Sequence, residues 1–242
     1  MQLPNVQFPP ASWPGGRYSF LLCSLLLLFA TSPLLPDSWV ASVVIDGIIA
    51  LMFLCGILSL GNRQFAWVVV VLILVPELIG IGLGWVTESG GSLGGGIGGS
   101  IRSVAMILFC AYMAFHIMCD VMRSRHITGD TICGALCVYL LLGLLWAFGY
   151  LLIAHYVPNS FNASDEIVAI ASVSDSREVF SMLVYFSFVT LTTLGYGDIS
   201  PVSPIAQTAC WLEAVIGQLF LATFVAGLVG MHIADRIEEH RK

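Results

Sequence analysis

The chain has 242 residues, of which 58% are hydrophobic and only 10% are charged. A mean hydropathy of +0.93 excludes an ordinary water-soluble domain. The formal net charge of −6 argues against nucleic acid as a partner. Because backbone groups without partners cannot face lipid, and long apolar runs follow one another along the chain, we predict an all-α membrane protein.

Six apolar runs predict six transmembrane helices, since a helix needs about 20 residues to cross about 30 Å of hydrocarbon. Pro33 and Pro36 end the first run early, and Pro76 is expected to kink the third. In chain order the predicted spans cover residues 18–35, 38–60, 64–87, 101–122, 131–156 and 204–234.

Positively charged residues indicate which ends of these helices face the cytoplasm. With six spans and both termini inside, only Arg102 and Arg177 lie outside. The other seven of the nine basic residues are then cytoplasmic: Arg17, Arg63, Arg123, Arg125, Arg236, Arg241 and Lys242. An odd number of spans would not keep most basic residues on the cytoplasmic side. We therefore predict a multi-pass protein of the cell membrane with both termini cytoplasmic.

The fourth span has too few arginines for a voltage sensor, which needs them at every third position. Arg102 is the only arginine between residues 101 and 122. His116 and Asp120 share one helical face at i, i+4 and are expected to hydrogen-bond to each other. We interpret the buried ionisable residues of the first four spans as polar groups that join helices, with proton sensing as the alternative. They are Asp46, Glu77, His116 and Asp120.

A segment between the fifth and sixth spans is predicted to enter the membrane without crossing it. A polar stretch from Val157 to about Ser174 precedes it. Asp175, with Glu178 three residues later, predicts a capping box at the start of a short helix that continues to Leu191. The partly negative C-terminal end of such a helix favours a cation beside it.

The residues after this helix are Thr192, Thr193, Leu194, Gly195, Tyr196, Gly197 and Asp198. Backbone carbonyls can replace the water shell of a cation if an extended strand directs them all to one side. Gly195 and Gly197 can adopt the positive φ that this requires. Thr193 adds a hydroxyl at the inner end of this strand, and Asp198 adds a carboxylate at its outer end. Tyr196 is expected to point away from the cation and to brace the strand.

The segment from Thr190 to Pro201, TLTTLGYGDISP, resembles the pore signature of the potassium channel superfamily. The resemblance implies a selectivity filter over residues 192–198. It also implies K+ bound at Thr193, Leu194, Gly195 and Tyr196.

The stretch from Leu212 to Gly230 resembles the inner helix of prokaryotic members of the two-helix pore family. Gly217 occupies the place where the superfamily often has a gating glycine, so it is a candidate hinge, or else a small residue that permits close packing. Glu213 lies deep in the same span, where a carboxylate is costly unless it has a partner. We expect it to support the pore helix or filter through a hydrogen bond.

The resemblance implies one subunit of a homotetrameric K+ channel, because each chain supplies one copy of the motif and a ring of carbonyls needs four. K+ is then the permeant ion, lipid and identical copies are the partners, and no cofactor is expected. A weakly selective cation channel and a non-conducting regulatory or scaffold subunit are the alternatives. An enzyme is not expected, because the sequence lacks a convincing set of catalytic residues.

The chain is predicted to have four parts. They are an N-terminal cytoplasmic segment 1–17, a four-helix membrane domain 18–125, a pore domain 126–234 and a short cytoplasmic tail 235–242.

Overall fold

The computed structural model describes residues 16, 18–31, 44, 47–52, 54–56, 96–124, 128–163 and 176–239. The main elements within these ranges are five helices and two short strands. In chain order they are α1 (Ser19–Thr31), α2 (Gly96–Arg123), α3 (Gly129–Tyr156), β1 (Phe161–Ala163), α4 (Ser176–Leu191), β2 (Ile199–Pro201) and α5 (Pro204–Glu239).

Three helices of the described ranges are long and apolar enough to cross a membrane, and they correspond to the fourth, fifth and sixth predicted spans. The helix α1 is apolar but has only 13 residues. Asp46 and most of the second predicted span lie outside the described residues, as do Glu77 and the whole third span. The three helices are Gly98–Arg123, Gly129–Tyr156 and Pro204–Gly227.

The helix α3 lies at the centre of the described structure and packs against α1, α2, α4 and α5. Its start is fixed by a capping box, in which the Thr128 side chain accepts from the Thr131 amide and Thr131 accepts from the Thr128 amide. Buried side chains such as Phe109 on α2 and Leu141 and Phe148 on α3 fill the interior. Close packing of this kind, rather than the hydrophobic effect, holds helices together in lipid.

Tyr18, just before α1, joins this helix to the ends of α2 and α3. Its amide donates to Asp130 Oδ1 at 2.9 Å and its hydroxyl donates to Asp120 Oδ2 at 2.8 Å. The predicted hydrogen bond between His116 and Asp120 is wrong: it is absent among the described residues, where the Asp120 carboxylate accepts from Tyr18 and the His116 ring lies beside Tyr112. The prediction considered only neighbours on one helix, whereas the actual donor comes from a distant part of the chain.

The predicted all-α fold misses a small antiparallel sheet of β1 and β2. Asn162 pairs with Ser200 at its centre, and the Ser160 carbonyl accepts from the Val202 amide at 2.7 Å. Strands of three residues are too short to show an alternating pattern in sequence. Their pairing joins the segment after α3 to the segment that enters α5.

Candidate functional site

The helix α4 ends at Leu191, and the following residues fold back onto its last turn. The Thr192 amide donates to the Phe188 carbonyl at 3.0 Å, and the Leu194 and Gly195 amides donate to the Val189 carbonyl at 2.9 and 3.3 Å. These bonds satisfy carbonyls at the helix end that would otherwise lack partners. The segment after the helix is therefore held beside its C-terminus.

Both glycines of the motif have the backbone conformation that its sequence predicts. The φ angles are +56° at Gly195 and +79° at Gly197. Thr193 also has a positive φ, of +58°, which a β-branched residue rarely adopts. Positive and negative φ thus alternate along part of the segment, which changes the direction of successive peptide groups.

The hydrogen bonds to Val189 determine where two carbonyl groups point. No peptide bond among the described residues is cis, and in a trans peptide the N–H and the preceding C=O point in opposite directions. Since the Leu194 and Gly195 amides face Val189, the carbonyls of Thr193 and Leu194 face away from α4. Residues 192–197 are all exposed in the single chain.

The outer end of the segment is fastened by Asp198. Its carboxylate accepts from the Tyr185 hydroxyl at 2.6 Å and from the Ile199 amide at 3.0 Å. The hydrogen bond from Tyr185 lowers the pKa of the Asp198 carboxyl, and the Ile199 amide acts in the same direction. A negative charge is therefore maintained at this end. Tyr196, predicted to brace the strand, is 66% exposed in the single chain.

The inner end of the segment contacts α5. The Gln218 amide donates to the Thr193 hydroxyl at 3.3 Å. Gly217 is buried, and a Cβ added there would lie 2.6 Å from the Leu191 carbonyl oxygen. Of the two interpretations of Gly217, this geometry supports close packing, and α5 is continuous through it. The hinge remains a prediction.

Glu213 is fully buried between α3, α4 and α5. Its Oε1 lies 2.5 Å from Ser187 Oγ on α4, and its Oε2 lies 2.5 Å from the Tyr150 hydroxyl on α3. The carboxyl therefore links α5 to α3 and to α4, the helix that precedes the motif. Sequence reasoning missed Tyr150, Ser187 and Tyr185. The available indications were hydroxyls within apolar helices, which need partners when they are buried.

The predicted capping residues of α4 fall where no side chains are described. Asp175 lies outside the described residues, and Glu178 is described only in its backbone. The capping box therefore remains a prediction.

Comparison with known proteins identifies the part of the chain that carries this geometry. Residues 140–232, from the middle of α3 into α5, match a family described as "Ion channel". The inward rectifier potassium channel Kirbac3.1 of Paramagnetospirillum magnetotacticum is 32% identical over 85 residues, which are 35% of this chain and 24% of that protein. The chain thus spans about a quarter of the length of that relative. No solved structure matches.

The family match coincides with the elements that position the motif, namely the second half of α3, the helix α4 and most of α5. Together with the apolar helices, the two matches support an ion channel in a multi-pass membrane protein. Residues 140–232 are similar to ion channel domains, and this segment contains every candidate filter residue.

Proposed function

We propose that this chain is one subunit of a homotetrameric channel that conducts K+ passively and selectively across the cell membrane. The observation that carries the proposal is the pair of carbonyls at Thr193 and Leu194, which both face away from α4. Four such strands around one axis form rings of oxygens, and each ring replaces part of the water shell of a dehydrated ion. In this proposal K+ binds at the level of Thr193, Leu194, Gly195 and Tyr196.

The electrostatics around the strand favour a cation. The C-terminal end of α4 carries a partial negative charge and lies next to the strand. Asp198 adds a carboxylate at the outer end, and the hydrogen bond from Tyr185 lowers the pKa of that carboxyl. A cation therefore meets negative potential at both ends of the strand.

The exposed surface of the single chain supports assembly around the strand. Backbone carbonyls and polar side chains cannot face hydrocarbon, so the exposed residues 192–197 require a water-filled path enclosed by protein. The helix α5 is also poorly covered by the rest of the chain. Of its most apolar stretch 17% is buried, compared with 44% for the corresponding stretch of α2 and 50% for that of α3. Its exposed apolar residues provide a surface for other copies and for lipid. They include Trp211, Val215, Leu219 and Val225.

A conventional voltage sensor is not part of the proposal. The helix α2 carries Arg102 near its start and Arg123 at its end. Moving a voltage sensor requires several charges within the field. We therefore propose a pore that is not opened by a conventional voltage sensor. In this proposal both termini are cytoplasmic.

Ion flux in liposomes tests this proposal against the alternatives. Purified full-length protein is reconstituted, and K+ uptake is compared with Na+ uptake under the same gradient. Strong preference for K+ is expected. Equal uptake of the two ions would instead identify a weakly selective cation channel. Absence of uptake under all conditions, with intact tetramers, would favour a non-conducting scaffold or regulatory subunit.

A further inference from the structure

Glu213 belongs to a chain of close oxygen contacts that crosses three helices. Tyr150 Oη lies 2.5 Å from Glu213 Oε2, and Glu213 Oε1 lies 2.5 Å from Ser187 Oγ. Ser187 Oγ in turn lies 2.8 Å from the carbonyl oxygen of Gly143 on α3. Each of these three contacts is a hydrogen bond only if a proton lies between the two oxygens.

The protons in this chain can be counted. The hydroxyls of Tyr150 and Ser187 contribute one proton each, and the Gly143 carbonyl can only accept. The Tyr150 proton is used in the bond to Oε2, and the Ser187 proton can fully serve only one of the two contacts of that hydroxyl. Three hydrogen bonds therefore need a third proton, and the Glu213 carboxyl is the remaining group that can hold it.

The surroundings of Glu213 agree with a neutral carboxyl. The side chain is 0% exposed, and its hydrogen bonds within the described residues come from the two hydroxyls and from no basic group. The other titratable side chains that interact with it are Tyr139 on α3 and Cys210 on α5, both neutral acids near pH 7. A buried carboxylate without a cation is costly, and protonation removes that cost.

We propose that Glu213 is a protonated positioning residue, which donates to Ser187, accepts from Tyr150 and so holds α4 against α3 and α5. In this arrangement Ser187 donates to the Gly143 carbonyl. The inference rests on the proposed function, because it assigns to the carboxyl the task of holding the filter in register. It also identifies Tyr150 and Ser187 as parts of the same support.

The position of Ser187 explains how such a support reaches the filter. The next two residues, Phe188 and Val189, provide the carbonyls that accept from the amides of Thr192, Leu194 and Gly195. A displacement of Ser187 therefore moves the acceptors that set the direction of the filter carbonyls. Phe188 is also fixed from the side of α3, since a Cβ on Gly143 would lie 2.5 Å from its ring.

Two substitutions of Glu213 separate hydrogen bonding from charge. Glu213→Gln keeps one donor and one acceptor, so the ratio of K+ to Na+ permeability is expected within about twofold of wild type. Glu213→Leu keeps the volume but removes both bonds, and the ratio is expected to fall by about tenfold or more. A Glu213→Gln ratio as low as that of Glu213→Leu would overturn the proposal, because it would show that the ionised form is required.

A matched pair of tyrosines tests the other partner. Tyr150→Phe removes the donor to Glu213 and is expected to lower the permeability ratio by about threefold to tenfold. Tyr156→Phe is the control, because this tyrosine is on the same helix, is 66% exposed and packs its ring against His155. Equal effects of the two substitutions would contradict a specific role for Tyr150.

Infrared spectroscopy tests the proton directly and does not depend on ion flux. The difference spectrum of wild type minus Glu213→Gln is expected to contain the carbonyl stretch of a protonated carboxylic acid. A difference spectrum with only carboxylate bands would overturn the assignment, even if the channel is K+-selective. If liposomes with the wild-type protein take up Na+ as readily as K+, the proposed function is refuted. The infrared spectrum of the same samples still tests the proton on Glu213, because the carboxylic acid band does not depend on ion flux.

Discussion

The two ends of the candidate filter are supported in different ways. At the outer end, Asp198 is fastened by an exposed hydrogen bond from Tyr185, and the strand that follows pairs with β1. At the inner end and behind the filter, Gly217 packs on the Leu191 carbonyl and Glu213 is fully buried. The outer support carries charge and meets water, whereas the inner support is made of close packing and buried hydrogen bonds.

This difference indicates which conditions can alter each support. A hydrogen bond to an exposed carboxylate depends on pH, and its electrostatic part is screened by salt. Close packing and buried hydrogen bonds are insensitive to salt but do not tolerate a change of shape. Solution conditions should therefore act mainly on the outer end, and changes in side-chain volume mainly on the inner end.

The largest effect is expected in the strand between the two supports. Gly195 has a φ of +56°, which costs any L-residue with a Cβ about 1–2 kcal/mol. Gly195→Ala should abolish selective K+ conduction, because the residue relaxes to negative φ and misdirects the neighbouring carbonyls. A Cβ at this position meets nothing within 4 Å in the single chain, so within one subunit the effect is one of backbone conformation and not of a clash. The measurement is K+ and Na+ uptake in liposomes.

Gly149→Ala is the control for that substitution. A Cβ on Gly149 also meets nothing within 4 Å, and this glycine does not have a positive φ. Gly149→Ala should show the same preference for K+ over Na+ as wild type. An unchanged K+ preference in Gly195→Ala would contradict the account.

The next largest effect is expected at the packed inner end. Gly217→Ala places a Cβ 2.6 Å from the backbone oxygen of Leu191, which cannot move without moving the end of α4. Overpacking of this kind should lower stability by about 1–3 kcal/mol. The measurement is the midpoint of thermal unfolding in detergent. Gly227→Ala on the same helix, where a Cβ meets nothing within 4 Å, should not lower it.

If the two alanine variants unfold at the same temperature, Gly217 is not a close contact. A Gly217→Ala protein that unfolds normally but no longer opens would support the hinge instead. The pair of variants thus separates the two interpretations of this glycine.

A smaller effect is expected at the outer end, where it should appear as a shift in pH dependence. In wild type the hydrogen bond from Tyr185 lowers the pKa of Asp198, so the carboxylate persists as the pH falls. Tyr185→Phe removes that bond, and the pKa of Asp198 should rise towards its ordinary value. Acid applied to the outer side should therefore reduce K+ flux at a higher pH in Tyr185→Phe than in wild type.

The control for this shift is Tyr156→Phe. Tyr156 is 66% exposed at the end of α3, and its ring contacts His155 and not Asp198. Its pH profile should match that of wild type. A Tyr185→Phe profile that is unshifted, or shifted to lower pH, would refute the role given to Tyr185.

The smallest effect is expected at the contact between α5 and the inner mouth. Gln218→Leu removes an exposed hydrogen bond of 3.3 Å to the Thr193 hydroxyl. The ratio of K+ to Na+ permeability should fall by about twofold, as expected for a weak bond that water can replace. A tenfold fall would show that this end also depends on an exposed polar contact, which would remove the contrast between the two ends.

The sequence predicts the local features of this structure better than its distant contacts. The positive φ at Gly195 and Gly197, and the three long helices, follow from residue type and from the length of apolar runs. Glu213 is buried, as its position deep within an apolar span predicts. Its partners could not be predicted, because Tyr150 and Ser187 are 63 and 26 positions away and nothing local indicates which helices will meet.

Two errors have the same origin. The bond predicted between His116 and Asp120 took account of one helix only, while Tyr18, 102 positions from Asp120, provides the actual donor. The sheet of β1 and β2 was missed because each strand has three residues and is stabilised by a partner elsewhere in the chain. Tertiary contacts thus override local patterns where polar groups need partners.

The most direct test of the central claim is a density map of the tetramer in lipid with Tl+ in place of K+. We expect Tl+ in single file on the fourfold axis, at the level of the carbonyl oxygens of Thr193, Leu194, Gly195 and Tyr196. Strands too far apart to share an ion, or a solitary chain with no axis at all, would contradict it.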